Sequence, residues 1–320
     1  MQSLVNKILQ GDKRAVARAI TLVESQSQYY RDIIKQIFPA TGKSFIVGIT
    51  GPPGSGKSTL VNNIAEDLLK RQKRVGIIAV DPSSPFSGGA LLGDRIRMTS
   101  IQGDPDVFIR SMGSRGRAGG LARATTDAIR ILEAAGFDLI LVETVGAGQS
   151  EIEIGKTAHT TIVIGIPGAG DAIQAIKAGI LEIADIYVVN KADRPGANEL
   201  VKELQLLLSL SPINEGLSEW KIPVLKTSNI HPLQGISELV DTIIRHQKFL
   251  VNPRNRKYAR EREFARRKSE IQEIIKYEIF ENMLENVYDR QQWEEILQLV
   301  IDRKEDPYTA AAKIMDPLFQ

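Results

Sequence analysis

Residues Gly51-Pro52-Pro53-Gly54-Ser55-Gly56-Lys57-Ser58 follow directly on the apolar run Phe45-Ile46-Val47-Gly48-Ile49. Glycines in such a turn let successive backbone N–H groups point inward, where they can surround phosphate oxygens. A lysine at the end of the turn can neutralise β- and γ-phosphate charge, and the hydroxyl after it can ligate Mg²⁺. An apolar strand, this turn and a helical pattern, in that order, make a nucleoside triphosphate the first ligand to expect. Gly51 through Ser58, with Thr59 beside them, form the expected cradle, and Lys57 is the first catalytic candidate.

A second string bears on the base. In Asn190-Lys191-Ala192-Asp193, which closes the apolar run Tyr187-Val188-Val189, the Asp193 carboxylate can accept from both N1–H and the 2-amino group of guanine. Adenine offers an acceptor at N1 and no 2-amino donor, so the string argues for GTP as substrate and GDP as product. The Lys191 stem is expected to pack across the base edge and the phosphate loop. Ser228, Asn229 and Ile230 are placed to supply a backbone donor to the guanine carbonyl.

Magnesium takes hard oxygen ligands and keeps some of its water, which suits Ser58 together with carboxylates acting directly or through water. Asp81, Asp94 and Glu143 are the carboxylate candidates. Glu143 opens Glu143-Thr144-Val145-Gly146, where the Gly146 N–H could sense a γ-phosphate, and Gln149 could orient the attacking water. Each has a plainer alternative: a turn cap for Asp81 before Pro82, a helix cap for Asp94, and a polar helix opener for Gln149. The arginines between Arg95 and Arg123 read mainly as solvated or paired side chains.

These residues need a scaffold that gathers strand ends. Short apolar runs at Phe45–Thr50, Val75–Val80, Val107–Arg110, Asp138–Thr144, Thr160–Ile166, Ile186–Asn190 and Ile222–Thr227 alternate with helical patterns at Lys57–Arg71, Ala118–Ala135, Asp171–Ile183, Ala197–Leu210 and Gly235–Gln247. This alternation predicts an α/β fold of the P-loop NTPase type, a doubly wound and mostly parallel sheet with helices on both faces, whose ligands sit beyond the carboxyl ends of the strands. Residues 1–40 read as an N-terminal helical extension, 41–250 as the nucleotide-binding domain and 251–320 as a C-terminal helical arm. Such an arm has too little mass for its own core, so its apolar stripe should pack on the main domain or on a second copy of the chain.

The chain has 320 residues, 42% hydrophobic and 25% charged, with a formal charge of +2. That balance gives no bulk electrostatic reason to expect nucleic acid or membrane. The basic stretch Arg254 to Lys268 is interspersed with Glu261 and Glu263, and Glu270 follows, which fits a salt-bridged helix. With no cysteine, disulfides, thiolate metal sites and thiol nucleophiles are all ruled out. His159, His231 and His246 show no ligand spacing and are expected in ordinary surface or loop roles. The first residues lack a signal-like pattern and no run approaches the roughly 20 apolar residues of a membrane span, so a cytoplasmic location is expected.

With the phosphate loop, Val80-Asp81-Pro82-Ser83-Ser84-Pro85, Glu143-Thr144-Val145-Gly146-Ala147-Gly148-Gln149-Ser150-Glu151, Pro167-Gly168-Ala169-Gly170-Asp171 and Asn190-Lys191-Ala192-Asp193 in view, the chain resembles the MeaB-type GTPases associated with methylmalonyl-CoA mutase. The likeness spans most of the sequence and includes Asp306-Pro307-Tyr308. It implies a GTP-hydrolysing chaperone of an adenosylcobalamin-dependent acyl-CoA mutase, gating cofactor delivery and protecting or reactivating the mutase. It also implies a homodimer built partly through the carboxyl-terminal arm, and a switch from Pro167 through about Ile180 that includes Lys177. The chain departs from the family pattern at Ile166, where Val is expected, and at Asn229, where Ala is common. Related proteins have carried the label of arginine/ornithine transport ATPase or kinase, which is the alternative reading. A metallochaperone reading would need a metal-handling cluster, which the absent cysteines and scattered histidines do not offer.

Overall fold

The computed structural model describes residues 2–81, 100–113, 120–144, 150–168, 180–210, 220–230, 232–286 and 290–315. Its two compact units are Met1–Arg266 and Arg267–Gln320.

In the first unit, seven parallel strands make one sheet: β1 (Phe45–Thr50), β2 (Val75–Asp81), β3 (Val107–Gly113), β4 (Leu139–Thr144), β5 (Thr160–Gly165), β6 (Ile186–Val189) and β7 (Val224–Lys226). Their order is β3-β2-β4-β1-β5-β6-β7. A parallel sheet covered on both faces buries every residue of its central strands, which is why these strands are continuous apolar runs. All six residues of β1 and of β4 are buried.

Side chains alternate between faces along each strand. From β4, Ile140 and Val142 join one core and Leu139 and Leu141 the other. The first core is completed by the inner faces of α5 (Gly120–Ala134) and of three amino-terminal helices, α1 (Gln2–Leu9), α2 (Lys13–Glu24) and α3 (Tyr30–Ile37). The second is completed by α4 (Lys57–Lys70) and α8 (Ile236–Val251). A smaller cluster joins Val163, Tyr187 and Val189 to α7 (Ala197–Leu210). The Asp12 side chain caps α2 by accepting from the Ala15 N–H at 2.7 Å. The α6 helix (Ser150–Thr157) precedes β5.

The seven expected strands are all present, β1 with its expected bounds and the other six with altered ends. β3 extends to Gly113 because it pairs with β2 along its whole length. β7 contracts to Val224–Lys226, pairing with β6 over those residues alone, and Pro223 at its start has no N–H to give. Of the helix expected over Asp171–Ile183, Ile180–Ile183 forms a single 3₁₀ turn, and the part before it lies outside the described residues.

Helix α9 (Arg256–Asn286) begins in the first unit and ends in the second. Within the second unit, α10 (Arg290–Ile301) precedes α11 (Pro307–Met315), whose start is capped by Asp306 accepting from the N–H groups of Tyr308 at 2.9 Å and Thr309 at 3.1 Å. The acidic and basic residues expected to pair along α9 do so at Arg266–Glu263 and Arg267–Glu270.

A polar cluster at the amino ends of β5 and β6 was not anticipated. Arg262, from the second turn of α9, donates to both oxygens of buried Asp185, at 2.5 and 2.9 Å. Asp185 Oδ2 also accepts from the Thr161 N–H, and its carbonyl accepts from the Trp220 indole, each at 2.9 Å. Arg266 donates to the Thr157 carbonyl at the end of α6. His246 was expected near the surface, but α8 turns it fully into the core. There its Nδ1 meets the Thr160 hydroxyl at 2.7 Å, its Nε2 lies 3.6 Å from Asp185, and its ring packs on Trp220 and Phe249.

Burial pushes the His246 imidazole down to about 4, with Asp185 opposing the shift and the Arg262 charge adding to it. An unfolded chain takes up that proton near 6.5. Between those values the unfolded state holds more protons, so stability is full above pH 6.5 and falls as pH drops toward about 4, by on the order of 3 kcal/mol. His246→Asn is expected to flatten this limb in urea midpoints measured across the window. An unchanged limb would place the proton uptake on another group.

Candidate functional site

β1 ends at Thr50 beside β5, and the chain must leave without a side chain. Gly51 has φ of 147°, and a Cβ there would stand 2.5 Å from the Ile164 carbonyl oxygen. The loop then turns through Pro52 to Ser55, whose N–H donates to the Pro52 carbonyl, and passes a left-handed Gly56 into α4. Lys57, at the first helical position, is 6% exposed, and its ammonium donates to the carbonyls of Gly51 at 2.8 Å and Pro52 at 3.0 Å. A buried ammonium thus sits inside a ring of backbone at the positive end of a helix, an arrangement able to take up phosphate charge. Pro53, Gly54 and Thr59 are exposed around it.

One residue on, the Ser58 hydroxyl donates to Glu143 Oε1 at 2.6 Å, and both side chains are buried. Glu143 pairs with Ile49 of β1 and Ala79 of β2, so the register brings the exits of β1, β2 and β4 together. Asp81 closes β2 one residue beyond the Val80–Thr144 pair. Two adjacent hard oxygens beside a phosphate loop fit Mg²⁺, which is commonly held by one or two protein groups with water and substrate phosphates filling the rest. Among the described residues there is no group of three or more acidic or histidine side chains that could hold a metal by itself. Asp94 and Gln149 lie outside the described residues, as do Gly146 and Lys177.

At the exit of β6, Asn190 is fully buried, and its carboxamide donates to the Ser55 carbonyl at 2.7 Å. Its Oδ1 accepts from the Thr227 hydroxyl at 3.0 Å. Lys191 adopts φ of 55° and donates from Nζ to the Gly54 carbonyl at 2.7 Å, so its stem lies toward the phosphate loop. Asp193 projects to the surface and accepts from the Ser228 hydroxyl at 2.6 Å. That hydrogen bond holds the Asp193 carboxyl below its ordinary value, with Arg194 and Lys191 adding to the effect, so an acceptor is kept ready. Asn229 Nδ2 lies 3.4 Å from Asn190 Oδ1. Ile230 is exposed, and its N–H is turned back to the Ser228 hydroxyl at 3.3 Å.

The structure therefore brings together Gly51 through Thr59, Glu143, Asn190, Lys191, Asp193, Ser228, Asn229 and Ile230 at the carboxyl ends of β1, β4, β6 and β7. Sequence reading missed Asn63, whose amide donates to Asn229 Oδ1 at 2.9 Å from α4. The signal was present as Asn62-Asn63 between Leu60, Val61 and Ile64, two polar residues on a helix whose neighbours are all core.

The family model described as methylmalonyl-CoA mutase-associated GTPase MeaB matches residues 16–288. A protein of Pyrococcus abyssi named as a GTPase is 47% identical over 315 residues, covering 98% of this chain and 96% of that one. The mouse (Mus musculus) protein named methylmalonic aciduria type A homolog, mitochondrial, is 36% identical over 261 residues, covering 75% of this chain and 61% of that one. Among solved structures, one titled LAO/AO transport system kinase superposes with a TM-score of 0.69 at 25% identity, covering 100% of this chain and 97% of that one. No described helix is long and apolar enough to cross a membrane. A match over most of the length, with the phosphate loop and the Asn190–Asp193 string folded onto one edge of a parallel sheet, makes this chain a GTPase that belongs to the methylmalonyl-CoA mutase-associated MeaB family.

Proposed function

We propose that this GTPase is a nucleotide-driven chaperone of an adenosylcobalamin-dependent acyl-CoA mutase of the methylmalonyl-CoA mutase type, gating cofactor delivery and protecting or reactivating the mutase. The observation that carries the nucleotide part is the direct tie between the two ends of the site, Asn190 to Ser55 and Lys191 to Gly54. The family and the name of the mouse relative support the mutase as partner.

In this reading the backbone from Gly51 to Thr59 cradles the triphosphate and Lys57 balances the β/γ charge. Ser58 and Glu143, with Asp81 and Asp94, would hold Mg²⁺, which when bound neutralises charge developing on the phosphates. Gln149 orients the attacking water. Asp193 accepts from N1–H and the 2-amino group of guanine, Lys191 covers the base edge, and the loop Ser228-Asn229-Ile230 meets the guanine carbonyl. The γ-phosphate is read by the segment after Thr144, and hydrolysis releases it. Ile271, Ile275 and Ile279 recur every fourth residue and are exposed on α9, which supports an arm that pairs with a second copy. The protein acts in the cytoplasm.

Three measurements test this reading, and the second and third separate it from a transport-coupled kinase or ATPase. Lys57→Ala is expected to lose triphosphate affinity by at least about tenfold while keeping its fold, since it removes a charge-assisted contact; unchanged affinity would refute its role. Asp193→Asn is expected to reduce GTP preference and raise xanthosine triphosphate binding, because an amide can donate where xanthine offers a carbonyl; a wild-type chain that prefers ATP in the same titration would favour the kinase reading. Hydrolysis by the full chain is expected to accelerate when a cognate mutase is added, and no change in either rate or nucleotide affinity would sink the chaperone assignment.

A further inference from the structure

Three side-chain amides form a relay across the site that ends on a backbone carbonyl. Asn63 Nδ2 on α4 donates to Asn229 Oδ1 at 2.9 Å, Asn229 Nδ2 points to Asn190 Oδ1 at 3.4 Å, and Asn190 Nδ2 donates to the Ser55 carbonyl at 2.7 Å. Every donor faces the same way, so each bond polarises the next. The relay is shielded, since Asn63 is 8% and Asn190 0% exposed. It is also tight: a Cβ on Gly56 would come within 2.7 Å of Asn190 Nδ2 and 3.4 Å of Asn229 Nδ2. The helix that begins with Lys57 and Ser58 therefore holds the Ser228–Ile230 loop through a side chain, in addition to the Asn190 bond to the phosphate loop.

We propose that Asn63 is a positioning residue for base recognition, fixing the Ser228–Ile230 loop through Asn229 and so setting guanine affinity without touching the nucleotide. This rests on the reading of that loop and Asp193 as the guanine site. A tether that mattered only for folding would leave nucleotide selectivity unmoved. A tether that sets the loop lowers guanine affinity and leaves turnover at saturation alone, because the Lys57 and Ser58 end keeps its own contacts.

The test measures GDP and ADP dissociation constants, and kcat at saturating GTP, for Asn63→Ala, Asn229→Ala and the double variant. Each single change is expected to weaken GDP by about three- to tenfold, the range of one neutral hydrogen bond. The double is expected to be no weaker than the worse single, as for two ends of one bond. Asn63→Ala is expected to keep kcat and to leave ADP binding unchanged. Asn63→Asp is expected to be worse than Ala, since a carboxylate would draw the Asn229 amide toward itself and turn its Oδ1 against Asn190 Oδ1. GDP affinity within about twofold of the parent, multiplicative losses, or equal loss of GDP and ADP would each overturn the proposal. Asp193→Asn is the control: if it weakens GDP and Asn63→Ala does not, the relay is wrong and the guanine site stands. If neither does, the guanine reading itself fails and the proposal falls with it.

Discussion

One carboxamide turns separate strand ends into a site. Asn190, with no exposed surface, needs partners for both its donor and its acceptor, because a buried polar group left unmet costs about 1–3 kcal/mol. It finds them in the Ser55 carbonyl of the phosphate loop and the Thr227 hydroxyl beyond β7. The geometry that allows this is the sheet order, in which β5 separates β1 from β6 and β7 flanks β6. The phosphate loop leans across the exit of β5 to reach Asn190, and Gly51 makes that lean possible, since its backbone passes against Ile164 where a side chain would collide. A sheet with a different strand order would leave the same motifs in sequence and take the site apart in space.

The rigidity behind that contact comes from two cores. Alternate residues of β1 and β4 face opposite sides, and each side is closed by helices that are themselves tied to the sheet. The amino-terminal helices share the core of α5 through Val16, Ile20 and Ile33, and Arg110 of β3 pairs with Glu24 at the end of α2. Breaking a half-buried pair of this kind strands a charge in a place that solvates it poorly, so it fixes orientation even where its net stabilisation is small.

Legibility follows from how local a feature is. The phosphate loop and Asn190-Lys191-Ala192-Asp193 are contiguous strings whose geometry is set by their own turns, and the strands of a covered parallel sheet announce themselves as apolar runs. Where a strand stops is less local. β3 gains its last residues from its neighbour, and β7 loses its first to a proline and to a partner that pairs over a short stretch. The interactions not foreseen all join distant positions: Asn63 with Asn229, Arg262 with Asp185, His246 with Thr160. A signal for His246 existed, because Leu239, Ile243 and His246 lie on one helical stripe with buried neighbours. Isolated polar residues on such stripes read as solvated when only their chemical type is weighed, and as buried when their phase is weighed.

β6 shows why those distant contacts matter for the site. Four buried residues, Ile186 to Val189, run between Asp185 and Asn190, so two polar clusters lie at the ends of one short strand, roughly 16 Å apart at the usual rise. At the carboxyl end Asn190 fixes the phosphate loop. At the amino end Asp185 receives Arg262, and through it the first turns of α9. A strand pinned by hydrogen bonds at both ends and apolar between them has no cheap way to slide, because a shift of one residue would move every side chain to the wrong face. The root of the long helix and the Asn190 end of the site are thus referred to a single stiff element, and any displacement of one must be carried by β6 or absorbed by breaking a buried polar contact.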